Sequence, residues 1–239
     1  MIIDAHCHAN GVDKDGTKLT IDELKKSMKT YGIDKSILFP FDVEEDLLEA
    51  SINIAKISDE DILPFLRFDP KLISATKIEE VLKTYRFYGV KLHPRSQSFD
   101  PLDKKFYQIY EVIESMDLPI IFHTRKENIV NSDPDRIAGL AEDFPGMNII
   151  LGHFANMSPE AISRVEKYRN LYLETSVMSS NYTIKVIAGR VGSDKLIFGS
   201  DIPYSDQEIE LLKIKKSGLA DRDKEKILCS NIMKLIHLE

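Results

Sequence analysis

The feature that most constrains this sequence is a series of eight short apolar runs, spread along the whole of its 239 residues. Rich in Ile, Val, Leu and Phe, the runs read MIIDAH, KSILFP, ILPFLRF, GVKLHP, PIIFHT, NIILGH, LYLETS and LIFGSD. Continuous apolar runs, as opposed to alternating ones, are typical of parallel strands covered on both faces. Dividing the chain among the runs leaves about 30 residues for each, enough for one strand, one helix and their loops.

Between the runs lie amphipathic segments that carry the start signals of helices. Thr20 with Glu23 predicts a capping box, and Ser205 with Glu208 predicts a second one. A residue able to cap a helix also precedes a proline suited to the first helical turn in three pairs: Asp100-Pro101, Asp133-Pro134 and Ser158-Pro159. Strands and helices are therefore expected to alternate along the chain.

Eight repeats of a strand followed by a helix predict an α/β protein, a single-domain (β/α)8 barrel of the TIM type over residues 1–239. An open, doubly wound sheet is the alternative. No glycine-rich phosphate loop of the G-x-G-x-x-G or Walker type follows any of the runs, which argues against a nucleotide-binding version of that sheet. No long linker, low-complexity stretch or change of composition divides the chain.

Composition narrows the choice of partners. The net charge is −7 and the Lys and Arg residues are scattered, so there is no basic stripe of the kind that binds nucleic acid. Two cysteines, Cys7 and Cys229, are too few for a disulfide framework and suit a reducing cytoplasm. No apolar run approaches the roughly 20 residues that cross a bilayer, and the first residues are too few and too acidic for a secretory signal. We expect a cytoplasmic enzyme for a small molecule, without membrane or nucleic acid partners, which pairs as a homodimer as such barrels often do.

Polar residues cluster where the predicted strands end. In (β/α)8 barrels the chemistry lies at the C-terminal ends of the strands and in the loops that follow. Five of the six histidines fall at such positions. The polar residues at strand ends are His6, His8, Lys91, His93, His123, His153 and Asp201. Imidazole nitrogens and a carboxylate that converge on one mouth suit zinc, iron, manganese or a similar divalent ion.

Strand alternation predicts the direction of these side chains. Residues two apart on a strand face the same way, so Asp4, His6 and His8 are expected on one face. Cys7 is then expected on the opposite face, packed against helices rather than acting as a ligand or nucleophile. By the same argument Lys91 shares a face with the histidine two residues after it.

Taken together, these motifs resemble the amidohydrolase superfamily of metal-dependent (β/α)8 enzymes. The resemblance rests on DAHCH, GVKLHP, FHT, LGH, GSDIP and the closing KILCSNIMKLI, which occur in this order at the expected strands. The chain is most similar to the amidohydrolase-related branch (amidohydrolase 2) that includes aminocarboxymuconate semialdehyde decarboxylase and its hydrolase and hydratase relatives. TatD-type deoxyribonucleases are also similar in FHTR and SDIPY, but they carry a metal-binding Glu on strand four, where this chain has Lys91.

The resemblance implies a set of metal ligands drawn from the first, fifth and eighth strands: His6, His8, His123 and Asp201. His153 would act beside the metal as a proton donor or acceptor, or as a ligand of a second ion. Zn2+ is the expected metal, as one ion or two, with Mn2+ and Fe2+ as alternatives. Some branches hold two metals across a carbamylated strand-four lysine, whereas we expect Lys91 to form a salt bridge inside the barrel mouth.

The implied activity is that of a metal-dependent hydrolase. A divalent ion lowers the pKa of its bound water to about 7, which supplies hydroxide to attack an amide, ester or lactone. Asp201 would take the proton of that water, and His153 would polarise or protonate the substrate. The same groups could instead protonate a substrate carbon and release carbon dioxide, or add water to a double bond. A decarboxylase or hydratase is therefore the alternative, and a TatD-like phosphodiesterase is a third hypothesis.

Cationic side chains after strands three to five suggest an anionic, carboxylate-bearing substrate. A guanidinium group pairs with a carboxylate through two hydrogen bonds, and Arg67, Arg95 and Arg125 stand at such positions. Arg67 has an alternative ion-pair partner in Asp69. The residues expected to bind substrate are Arg125, Arg95, His93, Lys91 and Tyr204, with Phe39 and Ser176 as further wall residues.

Overall fold

Eight parallel strands form the centre of the fold. The computed structural model describes residues 1–13, 15–42, 46–126 and 130–238. The strands are β1 (Ile3–His8), β2 (Lys35–Phe39), β3 (in two pieces, Ile62–Pro64 and Leu66–Arg67), β4 (Val90–Leu92), β5 (Ile120–Phe122), β6 (Ile149–Leu151), β7 (Leu171–Glu174) and β8 (Leu196–Ile197). Each strand coincides with one of the eight apolar runs, as predicted.

These strands pair into one closed barrel. β1, β2 and the first piece of β3 are neighbours in that order, and the second piece of β3 continues through β4 to β8. Backbone hydrogen bonds join the two ends of this series: Ala5 N donates to Phe198 O at 3.0 Å, and Asp201 N donates to His6 O at 2.7 Å. The predicted (β/α)8 barrel is therefore confirmed, and the open sheet is excluded because its two edges are joined.

Helices follow the strands along the chain. They are α1 (Ile21–Tyr31), α2 (Leu47–Ile57), α3 (Ala75–Thr84), α4 (Tyr107–Ser115), α5 (Pro134–Ile137), α6 (Leu140–Asp143), α7 (Pro159–Lys167), α8 (Asn181–Val191), α9 (Gln207–Lys215), α10 (Asp221–Glu225) and α11 (Asn231–Leu235). A short antiparallel hairpin, Gly11–Val12 with Lys18–Leu19, follows β1. Within the described part of the chain, no helix combines the length and the apolarity that crossing a membrane requires.

The helix starts agree with the sequence at three of the five predicted sites. The capping box of Thr20 and Glu23 is present at α1, and the two proline starts at residues 134 and 159 are confirmed. The pair Asp100-Pro101 instead lies in a turn, because Asp103 caps a short 3-10 segment that leads into α4.

The predicted capping box of Ser205 with Glu208 is wrong by one residue. Asp206 caps α9, and its carboxylate accepts hydrogen bonds from Glu208 N at 2.7 Å and Ile209 N at 3.2 Å. Ser205 donates its hydroxyl to Glu210 instead. Two residues with capping ability stand side by side here, and the sequence alone does not rank them.

Alternate strand residues form two buried layers. One layer lies inside the barrel, where Ile37, Ile121, Ile150 and Ile197 pack together and against Ile232 of α11. The other layer lies between strands and helices, and its residues include Leu38, Val90, Ile120, Leu151, Ile78, Val165 and Ile184. Each fully buried side chain of this size stabilises the fold by about 1.5–3 kcal/mol relative to exposure. Both faces of the sheet are therefore apolar, which is why the strands read as continuous runs.

An irregularity in β1 changes the direction of Asp4. The pairing register with β2 shifts between Asp4 and Cys7, so β1 holds one extra residue there. The carboxylate of Asp4 accepts hydrogen bonds from Ser200 Oγ at 2.6 Å and from Gln207 Nε2 of α9 at 2.8 Å. The expectation that Asp4 shares a face with His6 is therefore wrong, because the extra residue breaks the alternation.

Cys7 is buried between the barrel and its helices, as the sequence predicts. We expect Cys7→Ala to lower the free energy of unfolding by about 1–2 kcal/mol, through lost burial and a small cavity, and to leave metal content unchanged. Urea unfolding and elemental analysis of the same preparations measure the two effects. Loss of metal in this variant would contradict the assigned direction of the side chain.

Candidate active site

The imidazole of His6 is completely buried. Its Nδ1 lies 2.8 Å from Glu174 Oε2. Its Nε2 lies 3.1 Å from Lys91 Nζ and 3.2 Å from Asp201 Oδ1. Phe39 packs edge-on against the ring, with the ring centroids 5.2 Å apart. One side chain of β1 therefore contacts residues from β2, β4, β7 and the loop after β8.

The second histidine of β1 lies nearer to solvent. His8 Nε2 is 3.4 Å from Asp201 Oδ1, and His8 Nδ1 is 3.4 Å from the carbonyl oxygen of Pro40. The ring of Tyr204 meets the His8 ring edge-on, with the centroids 5.2 Å apart. His6 and His8 thus approach the same carboxylate oxygen of Asp201, which is the convergence that the His-x-His spacing predicts.

Three further histidines form a row across the ends of β4, β5 and β6. His153 Nε2 lies 2.9 Å from His123 Nδ1, and His153 Nδ1 lies 2.9 Å from Ser176 Oγ. The rings of His93 and His123 are stacked, with centroids 3.7 Å apart and planes 12° apart. On the far side, His93 Nε2 lies 3.5 Å from Asp42 Oδ2. His153 therefore contacts Ser176 through one ring nitrogen and His123 through the other.

Asp201 is held by its backbone as well as by its neighbours. It has a φ of 62°, in the left-handed region that Asp enters more readily than most residues. The preceding residue, Ser200, donates its backbone N–H and its hydroxyl to the carboxylate of Asp4, at 2.8 and 2.6 Å. The buried Asp4 carboxylate thus fixes the loop that carries Asp201.

The segment after β6 has an unusual backbone. Five consecutive residues, His153 to Met157, have a positive φ. Such residues cost about 1–2 kcal/mol each, and strained conformations concentrate at functional sites. The side chain of Asn156 accepts a hydrogen bond from the backbone of Lys126 and so links this segment to the loop after β5. His153, the first residue of this segment, is held at the site by its hydrogen bonds to Ser176, His123 and Glu174.

Burial sets the protonation of the site. It lowers the pKa of His6 and His8 well below the usual histidine range, with further lowering by nearby cations. It likewise lowers the pKa of Lys91, where the Arg67 guanidinium adds to the effect. For Asp201, burial raises the pKa of the carboxyl group. The imidazoles are therefore neutral near pH 7, which is the form that binds a metal ion.

A pocket of about 1030 Å³ opens above these residues. Its cationic lining comes from β4, β5 and the loops after them, and consists of Lys91, Arg95, Arg125 and Lys126. Its acidic lining consists of Asp13, Asp15, Asp42 and Asp201. Tyr204 donates its hydroxyl to Asp13 across the rim. The positive side of the pocket lies over β4 and β5.

The residues fit a divalent metal ion. Within the part of the chain that the structure describes, His6, His153 and Asp201 can each direct a ligand atom so that all three lie within 4.8 Å of one another. Two atoms that bind one ion at about 2.1 Å lie at most about 4.2 Å apart, so a small movement of the side chains completes the site. His8 lies beside this group, whereas His123 is one hydrogen bond removed from it, through His153.

The predicted substrate-binding residues divide into two groups. The first group lines the pocket and consists of Arg125, Arg95, His93, Lys91 and Tyr204. The second, Phe39 and Ser176, lies beneath the histidines, where Ser176 is completely buried. Arg67 is also completely buried, and it pairs with Asp42 rather than with Asp69 because the loop after β2 passes closer to it.

The expected salt bridge of Lys91 is replaced by a different contact. Its Nζ faces His6 Nε2 and lies 4.9 Å from the centre of the Phe39 ring. No carboxylate oxygen of the described residues lies within 4.0 Å of this Nζ. The side-chain nitrogen of Lys91 therefore contacts His6, one of the predicted metal ligands.

Glu174 is the buried group that sequence reasoning missed. It ends β7, is completely buried and accepts hydrogen bonds from His6, from Ser176 and from the backbone of His153. The signal was available, because an acidic residue inside the apolar run LYLETS stands at a strand end like the histidines. Asp42 and Asp13 were missed for a different reason, since they lie in loops that no periodicity describes.

The chain belongs to the amidohydrolase family, whose model matches residues 3–238. This match confirms the resemblance inferred from the motifs at the strand ends, and with it an enzyme of the amidohydrolase superfamily.

Proteins similar to this chain include decarboxylases and a putative hydrolase. The gamma-resorcylate decarboxylase of Polaromonas sp. (strain JS666 / ATCC BAA-500) is 22% identical, in a match that covers 71% of this chain and 68% of the relative. The dihydroxybenzoic acid decarboxylase structure from Polaromonas sp. JS666, with bound manganese and the inhibitor 2-nitroresorcinol, is 18% identical, with a TM-score of 0.77 over 99% of this chain and 97% of that one.

A putative 2-pyrone-4,6-dicarboxylic acid hydrolase from Pseudomonas putida is also similar in structure. It is 12% identical, with a TM-score of 0.77 over 100% of this chain and 98% of that one. At these identities the structural similarities establish the fold. The sequence similarity to a decarboxylase favours the decarboxylase alternative over the hydrolase that the motifs first suggested.

Proposed function

We propose that this protein is a metal-dependent decarboxylase that releases carbon dioxide from a small aromatic carboxylic acid of the hydroxybenzoic type. Support comes from membership of the amidohydrolase family and from the relatives named for gamma-resorcylate and dihydroxybenzoic acid. The cationic side of the pocket suits the carboxylate of such an acid.

One observation carries the proposal, namely the burial of the reactive groups at the pocket floor. Lys91 is 0% exposed, and His153 and Asp201 are each 7% exposed. Loss of carbon dioxide disperses the charge of a carboxylate, so a floor that excludes bulk water favours the transition state over the solvated ground state. Hydrolysis needs in addition a water molecule brought to the same floor.

The proposed reaction needs one proton for each turnover. Asp201 donates a proton to the ring carbon that bears the carboxylate, the bond from that carbon to the carboxylate breaks, and its electron pair returns to the ring. Carbon dioxide leaves, and Asp201 regains a proton from solvent. His153, with Nδ1 3.9 Å from Asp201 Oδ2, stands beside the transferring group. Lys91, Arg95 and Arg125 hold the carboxylate in place.

The divalent ion would be held by His6, Asp201 and His8. His153 would take the place of His8 on giving up its hydrogen bond to Ser176 or to His123. When bound, it supplies Lewis acidity that polarises an oxygen of the substrate. Manganese is bound in the dihydroxybenzoic acid decarboxylase structure, so we propose Mn2+ alongside Zn2+, and the nitrogen and oxygen donors suit both.

The test is turnover of a panel of hydroxybenzoic acids in D2O, followed by mass spectrometry and NMR. We expect carbon dioxide and a product one carbon shorter, with one deuterium at the vacated ring position. A chelator-treated sample is the control. Hydrolysis is the second candidate, favoured by the similarity to the putative 2-pyrone-4,6-dicarboxylic acid hydrolase. A lactone acid is assayed in parallel, and its opening without loss of carbon would replace the decarboxylase with this candidate.

Arg125 gives a test of substrate binding that is separate from the chemistry. We expect Arg125→Gln to raise KM about tenfold and to change kcat little, because a charged hydrogen bond to a carboxylate made in both ground and transition states is lost. Steady-state kinetics measure both constants. Arg86→Gln is the matched control, because Arg86 is also exposed but precedes β4, at the opposite end of the barrel. An equal rise in KM for both variants would contradict the role of Arg125.

A further inference from the structure

Glu174 does not line the pocket, yet four hydrogen bonds converge on its carboxylate. His6 Nδ1 lies at 2.8 Å and Ser176 Oγ at 2.9 Å from Oε2, and His153 N donates to the same oxygen at 3.1 Å. The backbone N–H of Ser176 donates to Oε1. A carboxylate buried without such donors would destabilise the fold by several kcal/mol. The site is therefore built around this carboxylate.

A carboxylate accepts hydrogen bonds and does not donate them, and this fixes the proton of His6. The ring proton must lie on Nδ1, which faces Glu174, so Nε2 carries a lone pair. That lone pair faces Lys91 Nζ and, 3.2 Å away, Asp201 Oδ1. Two electron-pair donors at this distance leave a position suited to a cation between them.

Ser176 transmits the same constraint to the next histidine. Its hydroxyl has one proton, which it donates to Glu174 Oε2, so its oxygen must accept from His153 Nδ1 at 2.9 Å. With its proton on Nδ1, His153 accepts at Nε2 from His123 Nδ1, also at 2.9 Å. His123 then carries its lone pair on Nε2, an atom that is buried and has no hydrogen-bond partner among the described residues.

We propose that Glu174 is a positioning residue that sets the ring protons of His6, His153 and His123, directly for His6 and through Ser176 for the other two. All three imidazoles then have the Nδ1–H form, and His6 and His123 present a bare Nε2. The bare Nε2 of His6 then faces Asp201 as a ligand for the divalent ion, and that part of the inference rests on the proposed function. The ring protons themselves do not depend on any substrate.

The carboxylate of Glu174 fits beside His6 because Gly199, which packs against both residues, has no side chain. A Cβ added at Gly199 would lie 2.8 Å from Glu174 Cδ and 2.9 Å from His6 Cβ, closer than side chains tolerate. The glycine of GSDIP thus lets the carboxylate of β7 reach the imidazole of β1. Residues of β1, β7 and the loop after β8 therefore pack closely around the hydrogen bond between His6 and Glu174.

The experiment is two-bond 1H–15N NMR of metal-free protein labelled with 15N in its histidine rings, which distinguishes the Nδ1–H and Nε2–H forms. Signals are assigned from single His→Gln variants. We expect the Nδ1–H form at all three positions in the wild type. In Ser176→Ala, His153 and His123 should no longer be restricted to the Nδ1–H form, while His6 should keep it. In Glu174→Gln, His6 should lose this restriction as well. The matched controls are Ser179→Ala and Glu210→Gln, which alter a buried serine and a buried acid elsewhere.

Binding of Mn2+, measured by calorimetry, gives a second readout. We expect Glu174→Gln to weaken it about 10- to 100-fold, the usual effect of removing an acceptor behind a metal-binding histidine, and both controls to bind as the wild type does. The Nε2–H form at His6 in the wild type would overturn the proposal, as would unchanged ring protons in Ser176→Ala. If Glu174→Gln does not fold, these two results still decide. The NMR and calorimetry measurements do not require turnover, so they test the role of Glu174 independently of whether the protein is a decarboxylase.

Discussion

Asp201→Asn is expected to reduce turnover by about 10³-fold or more while leaving the fold intact. The amide has the shape of the carboxyl group but cannot hold and release a proton at the pocket floor, and general acid catalysis of this kind contributes about 10²–10⁴-fold. Asp201 is also the carboxylate that both His6 and His8 approach, so the variant is expected to bind metal more weakly. Initial rates with excess metal separate the loss of proton transfer from the loss of the ion.

Asp206→Asn is the matched control for this change. It makes the same chemical substitution five residues later, at the N-cap of α9, where Asn caps a helix as well as Asp does. We expect the control to keep wild-type activity and both proteins to unfold at similar urea concentrations. Full activity in Asp201→Asn would remove Asp201 from the mechanism and leave His153 as the proton donor.

The double variant His6→Ala, His8→Ala is expected to lose its bound metal. Elemental analysis of untagged wild-type protein should give about one ion per chain, as expected for one site with three protein ligands. The variant should retain almost none, because two of the imidazoles around Asp201 are removed. His237→Ala is the control, since His237 is an exposed histidine that bonds Asp117, far along the chain from the site.

The number of ions also decides between the two models of the site. About two ions per chain would make His153 and His123 ligands of a second metal and would give Lys91 a role between the two. No metal in the wild type after supplementation would mean that the decarboxylase proposal needs a mechanism built on the side chains alone.

The fold could be predicted because the signal is repeated. Eight apolar runs at regular spacing, with a helix between each pair, predict a closed (β/α)8 barrel, and each run forms a strand in the structure. Some features that depend on a single residue were not predicted correctly. Asp206 rather than Ser205 caps α9, and the extra residue in β1 turns Asp4 away from His6. Local patterns do not reveal a bulge, because its cause is the pairing with a strand about 30 residues away.

The candidate site could be predicted only in part. Strand ends brought His6, His8, His153 and Asp201 to one mouth, and the sequence indicates this because parallel strands in a barrel all end on the same side. The sequence did not show which residues at the mouth contact each other. Arg67, for example, was considered as a substrate contact or as a partner of Asp69, whereas the structure pairs it with Asp42.

The sequence by itself determined the barrel, the family and the set of histidines at the mouth, since these follow from periodicity and from motifs that each lie on one strand. Only the tertiary structure decided which nitrogen of each histidine faces the site. That choice depends on Glu174 of β7 meeting His6 of β1, two residues 168 positions apart. Hydrogen bonds between distant strands follow from the closure of the barrel, and the protonation of a buried imidazole follows from its partners.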